Sequence, residues 1–324
     1  MQKPKEKGVQ TEQSGKMSHE AFREFVEKKT GSISGKVSVV AENILTGEAF
    51  AWNESAAFNP ASTIKLPILC AAYHWAQKGQ LDLNGHIALK ASDKAGGFGI
   101  LSELGEGLQL TLRDLMKLMI VISDNTATNM VIEAVGIGRI KTFLEEHGLG
   151  EIRAERKMFD YDAIKKGFNN VVTGRSLAKN LKGLARGTLL APEYCKEALD
   201  ILLRQQCNNK MPAKIIDCRD LLTRQGPINN PAASSGVCCL GKVSDSGFNT
   251  QDSAASRGVL NPSQTIKIAH KTGEMQGVEH DIGIVYTPRS EFLFVFLAED
   301  VNNKAAIELV QDLTQDFVNY FDQL

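Results

Sequence analysis

No apolar run in this 324-residue chain approaches the length of a bilayer crossing. Residues 1–16 (MQKPKEKGVQTEQSGK) are polar and hold no apolar signal core, so nothing in the chain as written exports it. A basic excess is also missing. The net charge of -1 and pI near 6.6 give no electrostatic reason to bind nucleic acid or an anionic membrane surface, which leaves a small-molecule substrate and a monomer as the expectation. The cysteines (Cys70, Cys195, Cys207, Cys218, Cys238, Cys239) follow no CxxC or Cys/His zinc spacing. They read as mostly free thiols, although Cys238 or Cys239 could pair with Cys207 or Cys218 in an oxidising compartment. The six histidines (His19, His74, His86, His147, His270, His280) show no ligand pairing at helical or loop spacing, so neither a metal site nor a cofactor is expected.

What the chain does have is enough apolar residue, 43%, for a full core in one large or two modest domains. Ser18 to Lys29 sets Phe22, Phe25 and Val26 on one helical face, with Ser18 as N-cap. Residues 36–52 carry two β-prone runs about a turn at Thr46 and Gly47, a hairpin pattern. Helical patterns then dominate, over 62–77, 111–122, 126–135, 138–147, 174–186 and 193–205. Three strands are expected at Thr265 to His270, Asp281 to Tyr286 and Phe292 to Ala298, before a final amphipathic helix from Lys304 to Phe321. Strands at both ends of the sequence and helices between them predict an α/β protein of the α+β type. A mainly antiparallel sheet is flanked by the N- and C-terminal helices, with an all-helical domain beside it. The expected division is a polar leader over 1–17, a sheet domain from 18–60 plus 263–324, a helical domain over 61–216, and an insertion over 217–262. That insertion is rich in Ser, Asn, Gly and Pro and reads as disordered.

Three short motifs carry chemistry. Ser62 and Lys65 are three apart at the start of an apolar helix, so they share a face. A serine hydroxyl needs a base to become a nucleophile, and a desolvated lysine can be one. Alone the pattern is weak, because SxxK is expected about once by chance in a chain of this size, and an N-cap serine with a solvated lysine would look the same. Ser123-Asp124-Asn125 separates two apolar helical segments. Asp124 could simply cap a helix, but a second serine beside an amide also suits acyl transfer, one carrying a proton and the other holding a substrate amide. Lys271-Thr272-Gly273 closes the run TIKIAH and precedes Glu274. It offers a fixed cation, a hydroxyl for a carboxylate, and a glycine that lets a substrate approach the backbone.

In that order SxxK, SDN and KTG resemble the class A β-lactamases and related penicillin-recognising serine hydrolases. The resemblance extends through TLRDLMKLMIVISDNTATN and IAHKTGE and covers nearly everything from Ser18 onward except the insertion. It implies a serine β-lactamase/transpeptidase-like fold, with Ser62 as the acylated nucleophile, Lys65 as its proton acceptor and Ser123 as the shuttle to the leaving nitrogen. Asn125 would contact a substrate amide. Lys271, Thr272 and Gly273 would hold the substrate carboxylate and strand edge, the N–H groups of Ser62 and Glu274 would form an oxyanion hole, and Phe98 would be an aromatic wall. The implied substrate is a β-lactam, with a D-Ala peptide or a small ester as the second reading and a non-catalytic binding protein on the same fold as the third. One feature departs from the family: the ExxLN glutamate that activates the hydrolytic water is replaced by Met158. Asp160 is the first candidate to stand in for it, followed by Asp162 and Glu155. His280 is the nearest candidate for the family's basic residue on the following strand.

Overall fold

The computed structural model describes residues 17–215 and 266–322, so the expectations for 217–262 and, apart from Met17, for the leader lie outside the described residues. Helix α1 (His19–Thr30) begins where Ser18 accepts a hydrogen bond from Ala21 N, as the sequence predicts. Strands β1 (Lys36–Asn43) and β2 (Ala49–Trp52) form the expected hairpin. The three late strands are longer than their apolar runs suggest: β7 (Lys267–Met275), β8 (Val278–Tyr286) and β9 (Glu291–Glu299). Lys271-Thr272-Gly273 therefore lies inside a strand, paired residue for residue with Gly273 opposite His280. All five strands make one antiparallel sheet in the order β2-β1-β9-β8-β7.

Side chains on a strand alternate between faces, and β9 shows what that achieves. Phe292, Phe294, Phe296 and Ala298 enter one apolar cluster, while Leu293, Val295 and Leu297 enter another. The first cluster lies under α1 and the last helix, α9 (Asn303–Phe321), where Phe22 stacks on Tyr320 and meets Phe317 edge-on. Burying each such phenyl ring stabilises the fold by about 1.5–3 kcal/mol. The second cluster joins the sheet to the helical block and is the larger of the two.

The helical block is built around α2 (Lys65–Gln77), whose residues from Lys65 to Trp75 are all buried. Helices α3 (Leu112–Val121), α4 (Asn125–Val135), α5 (Ile137–Glu146), α7 (Gly174–Ala185) and α8 (Pro192–Leu202) lie within three residues of their expected bounds. Helix α8 stops at Leu202, and beyond it the Gln205 side chain orders the following turn. Gln205 Oε1 accepts Gln206 N and Cys207 N, and its Nε2 donates to Ile120 O. Short elements that leave no period in the sequence are additions: β3 (Ala57–Phe58) with β6 (Val172–Thr173), β4 (His86–Ala88) with β5 (Gln109–Thr111), and α6 (Tyr161–Lys165). No helix among the described residues is long and apolar enough to cross a membrane. Cys70 and Cys195 are buried free thiols, Cys207 is a partly buried one, and the other three cysteines lie outside the described residues.

Candidate active site

The expected helix over 62–77 starts differently from its pattern. Ala61–Ile64 forms a 3-10 turn, and α2 begins only at Lys65. Asn59 Oδ1 accepts Ala61 N at 3.1 Å, and Pro60 O accepts both Thr63 N and Thr63 Oγ1. Ala61 is thereby held at φ 44°, a left-handed conformation costing a non-glycine residue roughly 1–2 kcal/mol. Strain of this kind immediately before a candidate nucleophile is a recurrent property of functional sites. Strand β7 packs against this turn so closely that a Cβ on Gly273 would lie 3.1 Å from both Pro60 O and Ser62 N. Glycine is what that approach requires.

The fold brings the three motifs together. Lys65 is fully buried, and its Nζ lies 2.7 Å from Ser123 O, 3.0 Å from Ser123 Oγ and 2.8 Å from Asn125 Oδ1. From the opposite side Lys271 Nζ lies 3.0 Å from the same Ser123 Oγ and 2.8 Å from Thr272 O. Burial, reinforced by the charge of Lys271, holds the Lys65 ammonium well below the usual lysine range. Burial likewise pushes Lys271 down to about 8. Ser123 sits at φ 57°, a second left-handed residue at the site. Ser62, Ser123, Thr272, Glu274 and Phe98 converge on one small hollow. A neutral Lys65 donates two N–H bonds and keeps a lone pair, so this arrangement can receive one proton and pass one on.

Asp124, the middle of its motif, acts as a cap, with one added role. Its Oδ1 accepts Ala127 N at the start of α4, and its Oδ2 accepts Ile100 N and Leu101 N. Those bonds fold the segment holding Phe98 over the site. Gly99, at φ 114°, leaves no space for a side chain there, since a Cβ would stand 2.3 Å from the Asp124 carboxylate. Phe98 then fronts a cleft of about 300 Å³ beside Ser62, together with Asn59, Met158, Phe159, Tyr161 and Met275.

The loop preceding α6 differs from its expectation. Met158 does stand in the cleft wall, clasped by Asn129, which donates to Met158 O and accepts Met158 N. Asp160 is absent from that wall, because its Oδ1 accepts Ala163 N as the N-cap of α6. Asp162 projects into solvent, and Glu155 Oε2 accepts Asn169 N away from Ser62. None of the three proposed substitute carboxylates reaches the cleft. His280 is not a substrate cation either. It is fully buried, donates from Nε2 to Asn59 O at 2.8 Å and accepts Ala298 N at Nδ1, and burial lowers its pKa to about 4. It braces the turn that carries Ser62.

Several neighbours escaped the sequence reading. Lys210, fully buried, pairs with Glu279 at 2.7 Å and with Glu274 at 2.8 Å. Although burial opposes its charge, these two carboxylates hold its pKa above the usual lysine range. Cys207 reaches the hollow at Ser62 through the Gln205 turn. Only Asn129 left a signal, one helical turn beyond Asn125. The histidines are another such case, since His74 lies in α2 and His147 just past the end of α5 and their rings still meet.

A family model described as the β-lactamase enzyme family matches residues 19–234 and 247–321. This chain belongs to that family. Its β-lactamase relatives include CARB-3 of Pseudomonas aeruginosa, 25% identical over 187 residues, or 57% of this chain. The matched region spans 65% of CARB-3, slightly under two thirds of that relative's length. Among solved structures, the β-lactamase from Sphaerobacter thermophilus superposes with a TM-score of 0.74 at 25% identity, covering 95% of this chain and 99% of that one. A variant of PBP-A, solved as its acyl-enzyme complex with penicillin-G, superposes at 0.73 and 22% identity, covering 94% and 98%. The antiparallel sheet with its helical block is thus the class A β-lactamase and penicillin-binding fold. The chain is related to the class A β-lactamases.

Proposed function

We propose that this protein is a serine hydrolase acting through a Ser62 acyl-enzyme on β-lactam or similar cyclic amide substrates, and that acylation outruns deacylation. The observation that carries this reading is the position of Ser123 Oγ, 3.0 Å from both Lys65 Nζ and Lys271 Nζ. Lys65, depressed by burial, takes the Ser62 hydroxyl proton as Oγ attacks the substrate carbonyl. The Ser62 and Glu274 N–H groups stabilise the oxyanion. The proton passes through Ser123 Oγ to the leaving nitrogen, completing amide cleavage. Lys271 and Thr272 hold the substrate carboxylate, Asn125 its side-chain amide, and Phe98 its apolar flank. Gly273 keeps β7 close enough for all of these contacts.

Hydrolysis of the ester needs a base for water, and methionine cannot be one. With Met158 in the cleft and Asp160, Asp162 and Glu155 directed elsewhere, the acyl group is retained. That same observation supports a second reading, a D-alanyl peptidase or small-ester hydrolase, which shares every acylating residue. A PBP-A variant of this fold has been solved as its acyl-enzyme complex with penicillin-G, so the fold can hold such an adduct.

Timed intact-mass spectrometry tests the proposal. Incubation with a penicillin is expected to add one penicillin mass to the native chain and none to Ser62→Ala, with the adduct persisting over many minutes. An adduct on Ser62→Ala would refute the nucleophile. No adduct on the native chain with penicillins, esters or D-Ala-D-Ala peptides would leave only a binding protein. Comparing nitrocefin, short-ester and D-Ala-D-Ala turnover separates the two enzymatic readings.

A further inference from the structure

Far from the Ser62 cleft, the C-terminal half of α2 packs on the end of α5, and three metal-binding side chains meet there. One ring nitrogen of His74, one of His147 and a Glu146 oxygen lie within 4.8 Å of one another. His74 is only 3% exposed, yet among the described residues neither of its ring nitrogens makes a hydrogen bond. Nε2 stands 3.1 Å from Glu146 Oε2 without the alignment of one. An unsatisfied buried polar group costs about 1–3 kcal/mol, and the Glu146 carboxylate beside Nε2 leaves the other ring nitrogen unsatisfied. His147 Nδ1 lies 2.9 Å from Phe143 O. Donating there leaves the lone pair on Nε2, an outer contact characteristic of metal-bound histidines. Lys78 Nζ bonds Glu146 Oε2 at 2.9 Å and would have to share that carboxylate.

We propose that His74, Glu146 and His147 bind a divalent first-row transition ion such as Zn2+. Two imidazoles and a carboxylate make a three-ligand set with water as the fourth ligand. Calcium and magnesium, which favour oxygen ligands, are disfavoured. The ion would tie α2, whose other end carries Lys65, to α5. Any ligand that binds only the folded state raises stability in proportion to its occupancy.

Calorimetric titration of the full chain with Zn2+ and absorption spectroscopy with Co2+ test this site. One ion per chain is expected, with a rise in Tm and a Co2+ spectrum free of thiolate charge transfer. His147→Gln and Glu146→Gln alter the partly exposed ligands and so avoid disturbing the core around His74. Each should weaken binding by about tenfold or more while leaving the rate of Ser62 acylation unchanged. Absence of saturable binding, equal affinity in the variants, or a thiolate band that places the ion on cysteines would each overturn the proposal.

Discussion

Ser123 Oγ accepts from, or donates to, two lysines at once, and two ammonium groups around one hydroxyl repel each other. Burial resolves the conflict by depressing both groups, Lys65 to well below the usual lysine range and Lys271 to about 8. In the proposed mechanism Lys65 serves as the base and Lys271 as the cation, an assignment made by surroundings rather than residue type. The consequence is a pH limb. Lys271 is charged below about 8 and loses its proton above it, so kcat/KM for carboxylate-bearing substrates should fall as pH rises through about 8. An ester lacking a carboxylate should keep its rate over that range. Parallel pH profiles for the two substrates make the measurement, and a shared limb would remove Lys271 from carboxylate binding.

At the scale of elements, the decisive piece is the loop between α5 and β6. Two asparagines hold its backbone: Asn129 clasps Met158, while Asn170 Oδ1 accepts Glu155 N and Arg156 N. The backbone is thereby fixed independently of the side chain at 158, and Met158→Glu should set a carboxylate in the cleft wall without refolding the loop. The acyl-enzyme is expected to clear at least about tenfold faster, the lower end of what a positioned general base contributes. Adduct decay followed by mass spectrometry provides the check, and an unchanged lifetime would mean that the side chain is not what limits hydrolysis. The same loop marks where the sequence stopped being informative. SxxK, SDN and KTG are legible because each is local, with helix and strand spacing fixing which side chains share a face. The fate of Asp160 was not, because whether it faces the cleft or caps α6 depends on a five-residue helix that leaves no period. The two- and three-residue strands β3 to β6 went unseen for the same reason, whereas the strong alternation of β9 was plain. His74 and His147 are 73 positions apart along the numbering, and only the packing of α2 on α5 makes them neighbours.

Across the whole molecule, the sheet stands between two apolar clusters, and His280 sits on its helical face in line with Ile282 and Ile284. Its pKa is about 4 when folded against about 6.5 when free. The unfolded chain therefore binds the proton first. The fold is unaffected by this group above about pH 6.5, loses stability as pH falls from there to about 4, and gains no further penalty below. The full penalty is on the order of 3 kcal/mol. Urea midpoints at pH 7 and pH 4.5 should show a larger drop for the native chain than for His280→Gln. Equal drops would assign the acid sensitivity elsewhere.

The pairing of β1 with β9 reaches further still. Lys36 meets Glu299 and Asn43 meets Phe292, so the early hairpin has no neighbour on that side until nearly the whole chain exists. At about 5–20 residues per second of synthesis, the Val39 to Ala41 edge waits for tens of seconds with its backbone groups unpaired. Contacts this distant along the chain close slowly. That waiting edge, made before any of the helical block, is what a chaperone or a neighbouring chain would meet first.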